Sequence, residues 1–374
     1  MVLGRFCYTA NEMKVAIVHD YLNQYGGAER VLEVLCELFP RAPIYTLIYD
    51  PEKTGFAFKD REIKTSFLQK IPLAKNHHRL FPLLMPIAIE QFDLGYFDLV
   101  ISNSASFGKG VVTKPETKHI CYCMTPTRFL WGGSHRFVRE FDLPWPVRKF
   151  LPLAMSYLRS WDQNAAQRPD SFIAISEFIR RKIKKYYHRS ARVVHPPVTL
   201  ENFSLSDRVP EYFLMVGRLV PYKRFDLAIK AFNQLGYPLK IIGSGPQLRE
   251  LRRMARPNIE FVGLVPDLKL SRYYQKARAV IFPQEEDFGI VPLEAMASGV
   301  SVIAYGAGGA LETVLAEKTG VFFEEQTPEA LIGAIRRWEK IKFQPKLIRG
   351  QAGNFERAIF KKKITAEITS ILES

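Results

Sequence analysis

Between residues 212 and 340 short apolar runs alternate with amphipathic spans, and no other feature constrains the fold as strongly. Tyr212–Val216, Leu239–Ile242, Ile259–Val262, Ala279–Phe282, Ser301–Ala304 and Gly320–Phe323 have the length of buried strands. Helical periodicity fills the spans near 226–236, 246–255, 267–277, 291–298, 309–317 and 328–340. A parallel strand pair needs a crossover connection, so strict strand–helix alternation predicts a doubly wound parallel sheet.

The first half repeats the pattern less regularly. Lys14–His19, Asp98–Ser102, His119–Cys123 and Ser171–Ser176 read as strands, and Gly26-Gly27 after the first of them opens a helix through Val31, Leu32, Val34, Leu35 and Leu38. A polar, proline-containing stretch at Thr199–Pro210 reads as a linker. The expected architecture is α/β, two Rossmann-like doubly wound parallel-sheet domains facing a cleft. The first spans residues 1–204 and the second 205–350. A helix in 351–374, with Phe360, Ile364, Ile368 and Leu372 spaced by four, is expected to return toward the first domain. The chain has 374 residues, enough for two such domains.

Composition narrows the class. A hydrophobic content of 47% with 24% charged residues excludes a disordered chain. No apolar run reaches the ~18 residues of a membrane span, and the start lacks a leader pattern, so a cytoplasmic location is expected. Four cysteines, Cys7, Cys36, Cys121 and Cys123, suit a reducing compartment. Cys121-Tyr-Cys123 has no second cysteine pair to complete a zinc site, so buried thiols and no metal are expected.

The net charge of +15 is unevenly placed. Residues 1–100 carry 11 basic against 12 acidic side chains, residues 101–200 carry 17 against 6, and residues 201–374 carry 25 against 20. Nucleic acid, an anionic membrane surface or phosphorylated substrates are all attracted by such a patch. No nucleic-acid module accompanies it, so a nucleic-acid partner is not expected.

The chemistry should follow the strands. Gly26-Gly27 reads as a ligand-facing loop or a plain tight turn. Gly217-Arg218 ends the first strand of the second domain and Lys223 follows, a pair suited to a diphosphate or, taken alone, to solvated loop charges. Gly243-Ser244-Gly245-Pro246 ends the next strand. The most specific feature is Glu286-Asp-Phe-Gly-Ile-Val-Pro-Leu-Glu294, in which Pro292 fits a first helical position and places Glu294 in the first turn. Glu286 precedes Phe288-Gly289 in a loop where backbone amides can approach a ligand, and a carboxylate there suits vicinal sugar hydroxyls.

With these residues the sequence resembles the retaining glycosyltransferases of family 4, which have the GT-B fold. Glu286 and Glu294 match the family's paired-glutamate signature, and Phe288-Gly289, Pro292-Leu293-Glu294-Ala295 and Gly299 match around it. Arg218 and Lys223 match its cationic pair. Gly26-Gly27-Ala28-Glu29, Asp98–Asn103 and Val194-His-Pro-Pro-Val198 extend the resemblance over about residues 13–345.

The resemblance implies a nucleotide-sugar donor, with no cofactor and no metal. Arg218, Lys223 and Glu286 would carry the chemistry: the two cations clamp the diphosphate and Glu286 holds the donor sugar. Glu294 would accept from the ribose, Gly217, Gly243 and the backbone of Phe288, Gly289, Ile290 and Val291 would line the ligand, and Gly26 and Gly27 would approach it from the other domain. Met124, in Cys121–Trp131, stands where many relatives carry a histidine that contacts the donor sugar; His19 or His119 are the candidates to compensate. The same segment, with Val194–Val198, looks most like bacterial mannosyltransferases of surface polysaccharide, which implies mannose from GDP-mannose passed to a glycan or lipid-linked acceptor. A UDP or ADP donor of another sugar, or a catalytically silent donor-binding relative, are the rival readings. Basic Arg136, Arg139, Arg148 and Lys149 interleave with Phe137, Phe141, Trp145, Phe150 and Leu151, and with the apolar run Leu80–Ile89 they fit a peripheral position on the inner face of the cell membrane.

Overall fold

Runs such as Val15–His19 and Leu99–Ser104 bury every residue, so both faces of each strand are covered, as in a parallel sheet wrapped by helices. The computed structural model describes residues 13–132, 145–205 and 209–373. It divides into two units, Met1–Pro196 with Phe360–Ser374, and Pro197–Ile359. Each is a Rossmann-like, doubly wound α/β unit.

In the first unit the strands are β1 (Val15–His19), β2 (Ile44–Thr46), β3 (Ile63–Thr65), β4 (Leu99–Ser104), β5 (Lys118–Cys123), β6 (Ser171–Ala174) and β7 (Arg192–Val193). Among the described residues they form one parallel sheet in the order β3-β2-β1-β4-β5-β6-β7. Ala16, Val18 and Val100 pack with Leu47, Met85, Ile89 and Phe107 in the core. β2, β3 and β7 do not stand out in the sequence. They are two or three residues long, and β3 exposes Lys64 and Thr65 at the sheet edge, so neither length nor hydrophobicity marks them. Cys121 and Cys123 are buried thiols on β5.

In the second unit β8 (Tyr212–Val216), β9 (Leu239–Ile242), β10 (Ile259–Gly263), β11 (Ala277–Phe282), β12 (Val302–Tyr305) and β13 (Gly320–Phe323) pair in parallel as β10-β9-β8-β11-β12-β13. Phe213, Ile241, Ile281 and Ile303 meet the buried faces of helices Phe225–Leu235 and Pro328–Trp338. The latter starts as its sequence predicts: Thr327 accepts the Ala330 amide at 3.2 Å and Pro328 fills the first position. The helix expected over 309–317 stops at Thr313. The Leu315 amide donates to the Thr319 hydroxyl at 2.8 Å and the Thr319 amide returns to the Leu315 carbonyl, closing a turn with Glu317 at φ +59°.

The stretch read as a linker is held to the second unit over its first part. Arg349 donates to the Phe203 carbonyl at 2.7 Å and to the Leu200 carbonyl at 3.3 Å, and just before the stretch the Val198 amide donates to the Phe355 carbonyl at 2.8 Å. The last helix, Arg357–Leu372, buries Phe360, Ile364, Ile368 and Ile371. The fourth buried position is Ile371 rather than Leu372. Within the first unit Phe360 meets Tyr122 edge-on at 5.8 Å, and ion pairs join Arg192 to Glu367 and Lys361 to Glu37, each at 2.6 Å.

Candidate active site

Each sheet reverses its strand order beside its first strand, between β1 and β4 and between β8 and β11. Doubly wound sheets take ligands outside the carboxyl ends of the strands at such a reversal. In the second unit β8 runs into Gly217 and Arg218, β9 into Gly243, and β11 into the loop 283–289. Gly243 has φ +139°, and a Cβ there would strike the Gly217 carbonyl oxygen, so only glycine lets the ends of β8 and β9 approach so closely.

The Arg218 side chain is exposed and has no ion pair among the described residues. Lys223, in the turn Pro221–Lys223, pairs with the carboxylate of Glu286; the two side chains are 12% and 17% exposed. The sequence assigns these charges to different parts of one ligand, and the fold brings them together, each neutralising the other. Gln284, itself buried, reaches the same carboxylate at 3.4 Å, and the Gly309 amide donates to the Glu286 carbonyl at 2.8 Å. The Gly309 contact, in the loop after β12, has no counterpart in the sequence reading; Gly306-Ala-Gly-Gly309 directly after an apolar run is the signal that marks it.

The expected place of Glu294 requires correction. Gly289, at φ +87°, precedes the helix Ile290–Ala297, which makes Pro292 the third helical residue and Glu294 the fifth. A proline is tolerated through the first turn because its missing N–H has no intrahelical partner there, so the glycine and not the proline sets the start. Glu294 therefore lies beyond the first turn, where the macrodipole has faded. It is buried, and the Tyr274 hydroxyl donates to its Oε2 at 2.8 Å. The Phe288 ring packs on Phe355 at 5.8 Å in the interior, and its backbone lies against Gly309, where a Cβ would strike it. Ile290 and Val291 open the helix, where amide donors lack intrahelical acceptors.

At the reversal in the first unit the polar groups turn inward. The buried Asp20 carboxylate accepts from the amides of Ala105 at 2.5 Å, Ser106 at 2.9 Å and Gly108 at 2.6 Å, tying the loops after β1 and β4 together. Gly26 caps the helix Gly27–Leu38, and its amide donates to Glu29 Oε2 at 2.8 Å. Glu29 Oε1 lies 3.4 Å from His19 Nε2. Burial alone would lower the His19 pKa, but the hydrogen bond and charge of Glu29, with Asp20 and the Asn103 carbonyl, raise it.

Met124 follows β5, half-buried, its amide donating to the Ser104 carbonyl at 2.8 Å. Neither candidate histidine stands free to replace it. His19 is buried against Glu29 and Asn103, and His119 is buried with Nε2 2.8 Å from the Ser102 hydroxyl. Burial pushes the His119 pKa down to about 4 against the opposing charge of Asp170, with Arg168 adding to the fall.

A buried charge cluster behind Met124 has no signature in the sequence. Asp162 accepts from Lys109 Nζ at 2.5 Å, Thr127 Oγ1 at 2.6 Å, Trp131 Nε1 at 2.7 Å and the Tyr187 hydroxyl at 2.8 Å. Lys109 and Asp162 are 1% exposed. Four donors from three separate segments, Lys109, the turn Thr127–Trp131 and Tyr187, converge on one carboxylate and hold the turn after β5.

Of the residues read as a membrane face, Arg136, Phe137, Arg139 and Phe141 and the side chains of Trp145, Arg148, Lys149 and Phe150 lie outside the described residues. Leu80, Leu83 and Ile87 are exposed, whereas Met85, Ala88 and Ile89 are core. Among the described residues no helix is long and apolar enough to cross a membrane.

Two family models match, end to end: Glycosyltransferase Family 4 over residues 25–202 and Glycosyl transferases group 1 over residues 199–352. The chain is 30% identical to a GDP-mannose-dependent alpha-(1-6)-phosphatidylinositol monomannoside mannosyltransferase of Mycolicibacterium smegmatis, over 54% of this chain and 61% of that one. It is 23% identical to an alpha-1,3/1,6-mannosyltransferase of Schizosaccharomyces pombe, over 82% and 70% of the two chains. Its fold is shared with Anabaena HepE, solved in complex with UDP, at a TM-score of 0.71, 17% identity and coverage of 96% and 100%. Sucrose-phosphate synthase from Thermosynechococcus elongatus gives 0.72 at 17% identity, covering 96% and 99%.

Proposed function

The chain belongs to the glycosyltransferases that join a family 4 and a group 1 domain, and on that premise we propose that it moves mannose from GDP-mannose to a hydroxyl of a glycan or lipid-linked acceptor, with retention of configuration. The observation that carries the donor reading is the grouping at the β8–β11 reversal: an exposed arginine, a lysine and a carboxylate on adjacent strand ends, beside a helix start. Arg218 and Lys223 hold the diphosphate, as a fork and a point charge. Glu286 is then released to the sugar hydroxyls, and Glu294, oriented by Tyr274, accepts from the ribose. Gly217, Gly243 and the backbone of residues 288–291 line the ligand. Gly26, Gly27 and Met124 are the ligand-facing positions proposed for the first unit. The choice of mannose rests on the two mannosyltransferase relatives.

The reaction breaks the bond from the sugar's anomeric carbon to the phosphate oxygen and forms one to the acceptor oxygen on the same face. The acceptor's proton passes to the departing diphosphate. Arg218 and Lys223 stabilise the charge that develops there, so no metal or cofactor is required. Chelator is expected to leave turnover intact.

Thermal shift against GDP, UDP, ADP and their sugars, with transfer assays on lipid-linked acceptors, tests the reading. GDP and GDP-mannose are expected to stabilise by about 2.7 kcal/mol at a hundredfold excess over Kd. Stabilisation by UDP or ADP alone overturns the donor, and donor binding without transfer to any acceptor points to a catalytically silent protein. The basic excess in 101–200 and the exposed Leu80, Leu83 and Ile87 support work at the inner membrane surface. Cosedimentation with anionic vesicles that falls with salt is expected, and no binding at low salt points to a soluble acceptor.

A further inference from the structure

The glycine loop after β1 is held by a side chain that faces two ways. Glu29 is 2% exposed; its Oε2 takes the Gly26 amide at 2.8 Å and its Oε1 faces His19 Nε2 at 3.4 Å. On the other side of the ring, Nδ1 lies 3.1 Å from the Asn103 carbonyl and 3.3 Å from Asn103 Nδ2. The same Nδ2 donates to the Ala28 carbonyl at 2.8 Å, and Asn103 Oδ1 is buried with no partner. His19 and Asn103 stand opposite one another in the β1–β4 register, at the reversal of the sheet.

These contacts allow two arrangements. With both ring nitrogens protonated, Nε2–H donates to the Glu29 carboxylate and Nδ1–H to the Asn103 carbonyl, so both bonds are charge-assisted. With Nδ1 deprotonated, that nitrogen becomes an acceptor for Asn103 Nδ2, which must then divide its hold between the ring and the Ala28 carbonyl. The first arrangement pins Gly26 and Ala28 together; the second divides the Asn103 hold on Ala28 and reduces the Glu29 contact behind Gly26 from an ion pair to a hydrogen bond from a neutral ring.

We propose that His19, Glu29 and Asn103 form a proton-controlled latch that positions the Gly26–Ala28 loop, closed when His19 carries its proton and relaxed when it does not. This deepens the functional reading above and rests on it for its effect on turnover. The groups facing the ring are Glu29 from the helix, Asp20 from the end of β1 and Asn103 from β4. Their net negative charge favours the closed form at neutral pH, and the latch opens as pH rises past the elevated His19 pKa. Glu29, His19 and Asn103 are positioning residues; Gly26 and Gly27 are the contacts they position.

The test uses the full chain uniformly labelled with 15N. Protection of the Gly26 amide against hydrogen exchange, corrected for the intrinsic rate, is followed from pH 6 to 9 beside the His19 ring resonances. Protection is expected to fall roughly tenfold across the His19 titration. Glu29→Ala is expected to lose it at every pH, and Glu29→Gln to retain an acceptor for Gly26 while losing most of the pH dependence. Unchanged protection of Val34 and Leu35 marks the variants as folded. Flat Gly26 protection through the His19 titration, or wild-type protection in Glu29→Ala, overturns the latch. This readout stands whether or not GDP-mannose is the donor. In the transfer assay kcat/KM is expected to decline on the alkaline side with the His19 pKa, a limb that Glu29→Gln flattens. A latch that opens while the profile stays flat overturns its link to turnover.

Discussion

The two strand reversals of this molecule use their charges in opposite ways. At β1–β4 the charged and polar groups are spent on the fold: Asp20 ties two loops, Glu29 caps a helix, and Asp162 collects four donors below the turn after β5. At β8–β11 Arg218 reaches solvent, and Lys223 and Glu286 hold one another at a partly open position. Substitution in the first unit should therefore read out as stability and substitution in the second as ligand affinity. Both sheets share one winding pattern, so the difference comes from the loops and not the topology.

The largest expected effect breaks the buried cluster of the first unit. Lys109→Ala leaves Asp162 charged and buried with one donor fewer, and loss of one partner from such a pair costs about 3–5 kcal/mol. Chemical denaturation measures it. If the loss stays below about 1 kcal/mol, the cluster is wetter than its 1% exposure implies.

Acid should act on the same unit next. His119 has a folded pKa near 4 against 6.5 unfolded, so the unfolded chain binds the proton more readily. Its contribution is whole above pH 6.5 and is lost as pH falls toward 4, on the order of 3 kcal/mol for a shift of this size. His19 has the opposite sign: its pKa is raised, so its contribution is present in acid and lost as pH rises through the folded value. His119→Gln is expected to flatten the stability slope between pH 4 and 6.5, as followed by urea midpoints. An unchanged slope assigns the acid sensitivity to carboxylates.

The second unit provides the contrast. Arg218→Ala is expected to weaken GDP binding by about 1.5–3 kcal/mol, the scale of a charge-assisted hydrogen bond, with no change in melting temperature. Calorimetry and thermal unfolding of the same sample check both halves. A variant that melts lower while binding nucleotide normally would reverse the contrast drawn here.

How much of this the sequence carries follows from the same division. Both sheets were legible because buried parallel strands are continuous apolar runs, and Tyr212–Val216, Leu239–Ile242 and Gly320–Phe323 match to the residue. β3 was not, because an edge strand with Lys64 and Thr65 in solvent has no apolar run to read. Arg218, Lys223, Glu286 and Glu294 were legible as strand-end charges in a motif. Their mutual contacts were not: Lys223 and Glu286 are 63 positions apart, and Tyr274 precedes the Glu294 it orients by 20. Lys109 and Asp162, 53 apart, carry no mark in the sequence of the burial that the fold gives them. Spacing reports what lies on one element, and a constellation assembled from several loops leaves no period to find.

The smallest expected effect lies at Met124, where the two behaviours meet. Its backbone is fixed by Ser104 and the turn after it by Asp162 through Thr127, while its side chain is half-buried rather than core. A thioether cannot donate a strong hydrogen bond, so whatever the side chain faces in a bound sugar goes without a donor from this position. Met124→His is therefore expected to raise kcat/KM for GDP-mannose by roughly tenfold, the worth of one hydrogen bond of about 1.4 kcal/mol made in the transition state. Melting temperature should hold, because the anchoring contacts are backbone and Thr127. A folded variant that loses turnover instead means that the pocket has an apolar wall here, suited to a donor lacking a hydroxyl at that point. Deoxy-sugar donors then become the assay of choice.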